Sequence, residues 1–351
     1  MRLLPLLALV AGGCAATPPP QREGLPPPAP KPPVASEKVD AAPTAAAPEP
    51  PPPAPPALTM KAFAPPFERS AKAGDGQWQP VSEVPTDPPL MLETTVHPHP
   101  FKKDVYAVVV AVDLRRVELA LVAGTHEPES KAVPREERAG LVPEDRQADL
   151  LAVFNGGFKA RHGGYGMMVD QQVYVPAKDD ACTIALYQDG SVRIRTFDQL
   201  AQADMRAYRQ TPPCMVVDGE LNEMLSGWSA RKWGMSIEGE DDIRRTALGV
   251  DESGAVLLFG IGEWIRPKEL ALAMQLAGAK NVAELDINWS YTRFLFFGHP
   301  EPNAPLQVTA TLIPKLEHSK RGYVHKASYR DFFYLAKKPS QAKVSPSKPH
   351  K

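Results

Sequence analysis

The sequence predicts an α+β fold built from mixed, mainly antiparallel sheets with few helices. Closely spaced β-rich runs are joined by short turns such as Asp189-Gly190, which is a strong hairpin signal. Only the segment after Pro267 has the pattern expected of a helix. A long stretch rich in proline and alanine precedes these elements, and its composition predicts a disordered tether rather than another domain.

The first two predicted strands cover residues 105–112 and 117–122, which are rich in valine and alanine. The four residues between them, 113–116, fit a turn. The two runs are therefore predicted to pair as a hairpin.

The next apolar run starts at Leu150 and ends at Asn155, Gly156 and Gly157. Glycines at a strand end allow the backbone to approach a ligand closely, and an asparagine offers both a donor and an acceptor. This strand end therefore indicates a site. The alternative is a plain turn, since Asn-Gly pairs often end strands without any chemistry.

The later elements continue the same pattern. The predicted helix begins after Pro267, buries Leu270, Met274 and Ala277 on one face, and stops at Gly278. Further strands are predicted at residues 181–187, 191–197, 215–217, 247–250, 256–261 and 282–287.

Composition divides the 351 residues, of which 40 are proline, into four parts. The predicted parts are a signal peptide (1–13), a lipid-anchor cysteine with a disordered linker (14–66), one folded domain (67–337) and a disordered basic tail (338–351). The formal net charge of −1 gives no field suited to nucleic acid, so no nucleic-acid partner is expected.

The N-terminus is typical of an export signal. Arg2 precedes an apolar run, Leu3–Val10, and the following Ala-Gly-Gly-Cys14 is similar to a bacterial lipobox. Cleavage before Cys14 would let its thiol carry a lipid, which predicts a membrane-anchored protein of the cell envelope. Ala15 is compatible with sorting to the outer membrane of a Gram-negative host. The alternative is an ordinary cleaved secretory signal in which Cys14 has no role.

Two further cysteines, Cys182 and Cys214, remain for the folded domain. An isolated pair in an oxidising compartment often forms a disulfide, here closing a loop of about 30 residues and contributing roughly 3 kcal/mol. The alternative is two buried thiols.

Three segments carry residues suited to chemistry, in the order Asn155–Phe158 (Asn-Gly-Gly-Phe), Arg244–Gly249 (Arg-Arg-Thr-Ala-Leu-Gly) and Glu284–Ser290 (Glu-Leu-Asp-Ile-Asn-Trp-Ser). This ordered set, with the helix end Ala277–Ala279 before the last segment, resembles the phosphodiester glycosidase family. The resemblance covers about residues 105 to 300.

The resemblance implies one pocket that binds a carbohydrate or sugar phosphate. Its implied lining residues are Asn155, Gly156, Gly157, Arg245, Thr246, Asp286 and Ser290. Asp286 would stabilise or attack the sugar centre, or activate water, and Arg245 would hold phosphate oxygens. The N–H groups of Gly156 and Gly157 would add an anion-binding nest. His162 is either a second acid or base, or an exposed loop residue; the second is favoured.

The last segment departs from the family. The family carries Asp-Gly-Gly-Gly-Ser where this chain has Asp286, Ile287, Asn288, Trp289 and Ser290. Because isoleucine does not comfortably adopt positive φ, the turn must differ. Trp289 is expected either to fill the pocket or to stack on a sugar face, and Asn288 to replace a backbone contact.

Two functions follow from these residues. One is an envelope hydrolase of a glycan phosphodiester or a related glycoside. The other is a non-catalytic glycan-binding or scaffold protein on the same fold. No metal or other cofactor is expected, because His97-Pro98-His99 is the only close histidine pair and no dinucleotide or phosphate-loop signature appears.

Overall fold

The computed structural model describes residues 55–236 and 239–339. The predicted signal peptide, the lipid-anchor residue Cys14, most of the linker and residues 340–351 of the tail lie outside this part of the chain. Neither described helix is long and apolar enough to cross a bilayer.

Strands dominate the described residues, and the helices are short. The strands are β1 (Gln79–Pro80), β2 (Met91–Val96), β3 (Tyr106–Asp113), β4 (Val117–Val122), β5 (Leu150–Asn155), β6 (Met167–Val169), β7 (Gln172–Val175), β8 (Cys182–Tyr187), β9 (Val192–Thr196), β10 (Met205–Thr211), β11 (Val216–Val217), β12 (Glu220–Leu221), β13 (Ile243–Val250), β14 (Val256–Ile265), β15 (Asn281–Ile287), β16 (Phe294–Gly298), β17 (Gln307–Thr311) and β18 (Phe332–Lys337). The α-helices are α1 (Glu144–Gln147) and α2 (Pro267–Leu276), and the 3₁₀ helices cover Arg135–Glu137, Ala160–His162, Phe197–Gln199, Glu223–Leu225 and Gly227–Trp233.

The strands form three antiparallel sheets. An eight-stranded sheet has the order β1-β2-β3-β14-β13-β15-β11-β12. Two five-stranded sheets have the orders β7-β6-β10-β8-β9 and β17-β16-β5-β18-β4. The predicted fold class, mainly antiparallel sheets with few helices, is confirmed.

One apolar core joins the three sheets. At its centre Phe154 of β5 packs against Phe259 of β14 at a ring-centroid distance of 4.9 Å and against Phe333 of β18 at 5.4 Å. The third sheet contributes Ile184 and Ile194 to the same cluster. The apolar run that precedes Asn155 is therefore buried because it lies between sheets, as its continuous apolar pattern predicts.

Helix α2 covers the other face of the eight-stranded sheet. It begins at Pro267 as predicted, buries Leu270 and Met274, and is followed by Gly278 with φ of +98°. A glycine takes this left-handed conformation without the cost that a Cβ atom imposes, so the helix stops there.

The predicted hairpin of residues 105–112 with 117–122 is wrong. β3 pairs with β2 and β14 in the eight-stranded sheet, whereas β4 pairs with β18 in a five-stranded sheet. Both edges of β3 are occupied by other strands, so the turn after Asp113 carries the chain from one sheet to the next. The hairpin predicted around Asp189-Gly190 does form, between β8 and β9.

The packed part of the chain begins before the predicted boundary at residue 67. Leu58 is only 4% exposed and belongs to the apolar cluster beneath α2, together with Leu270. Burial of this apolar side chain stabilises the position of the described residues around Leu58.

The disulfide between Cys182 and Cys214 is present. It ties β8 of one five-stranded sheet to the segment that leads into β11 of the eight-stranded sheet. Both cysteines are buried, with exposed fractions of 0% and 4%.

Replacing both cysteines with alanine should lower the free energy of unfolding by roughly 3 kcal/mol, because the unfolded chain regains the freedom of the closed loop. Urea unfolding of the oxidised domain and of the double variant measures this difference. The reduced wild-type domain is the control and should unfold near the variant. Equal midpoints for oxidised wild type and variant would contradict a stabilising cross-link.

Candidate active site

Two of the sheets meet where β5 ends and β18 begins in one five-stranded sheet and where β15 ends in the eight-stranded sheet. The N–H of Asp286 donates to the carbonyl of Gly156 at 3.0 Å, and the N–H of Gly156 donates to the carbonyl of Asp331 at 3.1 Å. Segments from separate sheets therefore lie hydrogen-bonded side by side at this point.

A β-bulge sets the direction of Asp286. Thr246 of β13 stands opposite two residues of β15, Leu285 and Asp286, because the register shifts between the flanking pairs. The Thr246 hydroxyl donates to the Asp286 carbonyl at 2.7 Å and accepts from the Asn155 side-chain amide at 2.8 Å. Bulges re-aim side chains and are frequent beside active sites.

Asp286 lies at the floor of a cavity of about 710 Å³. Among the described lining residues it is the single carboxylate. The lining also carries five permanently cationic side chains, namely Lys159, Arg161, Arg231, Lys232 and Arg330. A cavity with this charge balance attracts anions.

Burial changes the acidity of Asp286. The residue is 6% exposed, and this burial raises the pKa of its carboxyl to about 6, against an opposing effect of the neighbouring Arg330. Asp286 Oδ2 lies 2.5 Å from Arg330 Nη1. This oxygen makes no hydrogen bond of suitable geometry with any described residue. Oδ2 is therefore ion-paired with Arg330 and can still accept a proton.

Arg330 was not predicted from the sequence. Its Nη2 donates to the Gly157 carbonyl at 2.9 Å, and its guanidinium carbon lies 4.6 Å from the centre of the Tyr291 ring. Two fixed contacts therefore hold this cation beside the Asp286 carboxylate.

The next residue, Asp331, forms a fully buried ion pair. Arg209 Nε of β10 donates to Asp331 Oδ2 at 2.8 Å, and both side chains are 0% exposed. The same carboxylate oxygen accepts the Gly157 N–H at 3.0 Å. Arg209 also donates to the carbonyls of Phe158 and Gln210.

The prediction that the N–H groups of Gly156 and Gly157 form a nest for a substrate anion is therefore wrong. Both N–H groups are already bonded to Asp331, one to its backbone carbonyl and one to its carboxylate. The nest holds an anion of the chain itself and does not face a substrate.

The glycines are still required, for close approach. A Cβ atom on Gly156 would lie 2.0 Å from Asp331 Oδ2, and one on Gly157 would lie 2.9 Å from Arg209 Cζ. The sequence analysis expected a ligand to approach the backbone of these glycines closely. In the structure the Arg209–Asp331 ion pair makes this close approach.

Arg245 does not contact the cavity, so its predicted role as the phosphate clamp is wrong. Its side chain is 0% exposed and pairs with Glu284 at 2.9 Å. Its other donors reach the carbonyls of Ile265, Trp233, Gly234 and Asp241. Arg245 thus fixes the segment that carries Gly234 to the cavity wall, and burial raises the pKa of Glu284 against the effect of Arg245.

The residues after Asp286 do line the cavity. Ile287 stays in the strand and packs with Phe158 and Ile243, while Asn288 takes the positive φ of 84°. Asparagine tolerates this conformation far better than isoleucine. The turn therefore starts at Asn288, one residue later than the first position at which the glycines of the family would allow it.

Trp289 does not fill the cavity. It is half-buried at the rim, with its ring 4.7 Å from that of Trp264. Ser290 is exposed beside it. The cavity is therefore open to a ligand.

His162 also lines the cavity and is exposed. Its Nε2 accepts from Arg161 Nε at 3.2 Å. Partial burial, followed by the charges of Arg161 and Lys159, lowers the pKa of the imidazole. This shift favours the neutral form of the imidazole.

Three functional residues were missed by the sequence analysis: Arg209, Arg330 and Asp331. Arg330 and Asp331 stand directly before the last apolar strand, a signal similar to that of Arg244 and Arg245 at the start of β13. Arg209 lies inside a strand, where its burial follows only from the meeting of three sheets.

No group of three or more His, Cys, Asp or Glu side chains within residues 55–236 and 239–339 is arranged to hold a metal ion.

Comparison with known families agrees with the layout of these segments. Residues 148–301 match the model of the phosphodiester glycosidase family. The predicted resemblance to this family, as that of a divergent member, is confirmed over these residues. Arg330 and Asp331 lie outside the matched residues.

Among solved structures, the chain is similar to the zebrafish N-acetylglucosamine-1-phosphodiester alpha-N-acetylglucosaminidase catalytic domain auto-inhibited by its pro-peptide. The TM-score is 0.44 at 15% identity, over 75% of this chain and 88% of that chain. A hypothetical protein from Synechocystis matches with a TM-score of 0.40 at 11% identity, over 71% of this chain and 62% of that chain. No curated protein sequence matches this chain.

Gly156→Ala should destabilise the domain by roughly 3 kcal/mol or more, because the added Cβ displaces Asp331 from Arg209 and leaves buried charge poorly paired. Urea unfolding measures the change. Gly298→Ala is the matched control, since a Cβ there meets its nearest atom at 3.4 Å, and it should cost about 1 kcal/mol or less. Equal stability of the two variants would contradict the close packing at Gly156.

The pKa of Asp286 predicts a pH-dependent stability. The carboxyl has a pKa of about 6 in the folded state and 3.8 in the unfolded state, so the folded state binds more protons between these values. The free energy of unfolding should therefore fall as pH rises through this window, by on the order of 3 kcal/mol. Asp286→Asn removes this component. Parallel pH profiles for wild type and variant would refute the raised pKa.

Proposed function

We propose that this protein is a lipid-anchored envelope hydrolase that cleaves the bond between the sugar and the phosphate of a sugar phosphodiester. The observation that carries the proposal is a single buried carboxylate, Asp286, at the floor of a cationic cavity. The family match supports a glycosidase-like domain, and the charge of the cavity supports the phosphate.

The cationic lining accounts for substrate binding. A phosphodiester carries one negative charge, which the ammonium and guanidinium groups of Lys159, Arg161 and Lys232 attract. A neutral glycoside does not require such a surface. The sugar ring would then lie deeper, next to Asp286.

Asp286 acts as the base for water. The bond between the anomeric carbon and the phosphate oxygen breaks, and its electron pair leaves with the phosphate. The water oxygen bonds to the anomeric carbon, and one water proton passes to Asp286. A carboxylate with a pKa of about 6 is ionised at neutral pH and basic enough for this transfer.

A second carboxylate is not needed. The departing phosphate monoester is a weak base and leaves without protonation, unlike a sugar hydroxyl, for which glycosidases supply an acid. This agrees with a cavity in which the described lining offers one carboxylate. Arg330, held by Gly157 and Tyr291, orients the carboxylate and offsets charge beside the reacting centre.

The envelope location rests on the sequence. The apolar run before Cys14 supplies the signal, and the proline-rich stretch supplies a spacer between membrane and domain. The disulfide between Cys182 and Cys214 supports an oxidising compartment outside the cytosol.

A second candidate function is binding of a glycan phosphate without turnover. It is favoured by Asn288 and Trp289, which stand where the family has glycines. The same cavity would then hold the ligand while the changed turn leaves the reacting bond out of line.

Hydrolysis of a panel of sugar-1-phosphate methyl diesters by the full-length protein tests the proposal. Asp286→Asn should lower the rate on the order of 1,000-fold, because proton transfer from water is lost. In the wild type the rate should rise with pH through about 6 as the base ionises. Product analysis by proton NMR should show inversion, as expected for direct attack by water.

Asp218→Asn is the matched control, because Asp218 pairs with Arg195 at the surface and does not line the cavity. Its rate should equal that of the wild type. Equal rates for Asp286→Asn and wild type would remove Asp286 from its role. Tight binding of the diesters without turnover by the wild type would favour the second candidate.

A further inference from the structure

Two tryptophans form an exposed aromatic ledge beside the cavity. Trp264 is 50% exposed, and its ring centre lies 4.7 Å from that of Trp289 at an interplanar angle of 56°. Large aromatic surface left in contact with water typically marks a binding site. The ledge, defined as Trp264 and Trp289, continues into the cavity because Trp289 also lines its wall.

A strained backbone presents Trp264. The register between β13 and β14 shifts so that Arg244 faces two residues, Glu263 and Trp264, across a β-bulge. Trp264 has φ of +53°, a conformation in which glycine is preferred and a bulky residue is a rare outlier. Half-exposed, the indole gains little burial to offset this strain. A ligand that contacts the indole explains why a tryptophan stands there.

The ledge is held rigid from behind. The guanidinium of Arg244 lies 4.8 Å from the Trp289 ring centre, and its Nη1 donates to the Trp289 carbonyl at 3.2 Å. Arg244 Nε donates to Glu263 at 3.0 Å, and Glu263 accepts from the Tyr106 hydroxyl at 3.1 Å. A ligand therefore has to immobilise these side chains very little when it binds, and this favours affinity.

The charge of the ledge differs from that of the cavity. Arg244, the cation that contacts the Trp289 ring, is paired with Glu263. The two indoles of the ledge are apolar and carry no charge, whereas the described lining of the neighbouring cavity carries five cationic side chains. A pyranose ring suits such a surface, since its C–H face packs on an indole while its hydroxyls stay in water.

We propose that the Trp264–Trp289 ledge binds a neutral sugar ring adjacent to the one in the cavity, so that the ligand is a glycan chain and not a single sugar phosphate. This proposal rests on the proposed function for the cavity, but the ledge itself binds sugar whether or not the cavity turns it over. Trp289 stands where the family has a glycine, and Trp264 stands at the β-bulge of β14.

Titration calorimetry of the full-length protein tests the ledge without any need for turnover. The probes are chitotetraose, maltotetraose, cellotetraose and mannotetraose, each compared with its monosaccharide. At least one tetrasaccharide should bind about 10-fold more tightly than its monosaccharide. Trp264→Ala should abolish that difference, while Trp264→Phe should retain most of it. Loss in the alanine variant with rescue by phenylalanine separates stacking from misfolding.

Phe101→Ala is the control, because Phe101 is 66% exposed and packs against Arg69 outside the cavity. It should leave binding unchanged. The proposal is overturned if no tetrasaccharide binds better than its monosaccharide, or if Trp264→Ala binds as the wild type does. Binding of a synthetic peptide of residues 43–56 that Trp264→Ala abolishes would also overturn it, by assigning the ledge to the proline-rich segment. If tetrasaccharides bind but no diester is hydrolysed, the cavity proposal fails and the ledge stands.

Discussion

The buried ion pair between Arg209 and Asp331 joins the three sheets at the site. Arg209 comes from one five-stranded sheet, and Asp331 opens a strand of the other. Through Gly156 the same corner bonds to β15 of the eight-stranded sheet. Removing one partner of such a pair typically costs about 3–5 kcal/mol, because the other charge stays buried. The geometry of the candidate site depends on this contact.

The neighbours of that pair carry the chemistry. Arg330 precedes Asp331 in the chain and meets Asp286, whose backbone is bonded to Gly156. Bulges on both sides of β13 then direct two side chains, Asp286 into the cavity and Trp264 toward solvent. One strand thus positions the acidic floor of the cavity and its aromatic border.

Local patterns in the sequence are sufficient for the fold class, helix α2 and the hairpin at Asp189-Gly190, whereas the placement of Asp286 in a pocket followed from the family resemblance. They fail where long-range pairing decides. β3 and β4 are adjacent in sequence but lie in different sheets, where β3 pairs with β2 and the distant β14, and β4 pairs with the distant β18. Arg245 was assigned to the substrate, yet its guanidinium is enclosed by Glu284 and backbone carbonyls, which no local pattern reveals. Arg330 supplies a cation from beyond the family segment.

The titration of the Asp286 carboxyl by carbon-13 NMR is the most direct test of the central claim, that a buried carboxylate beside Arg330 is poised as a base. Its signal can be assigned by its absence from Asp286→Asn. The account predicts a midpoint of about 6, because burial raises the pKa of this carboxyl more than Arg330 lowers it. A midpoint at the ordinary aspartate value of about 3.9 would contradict the claim.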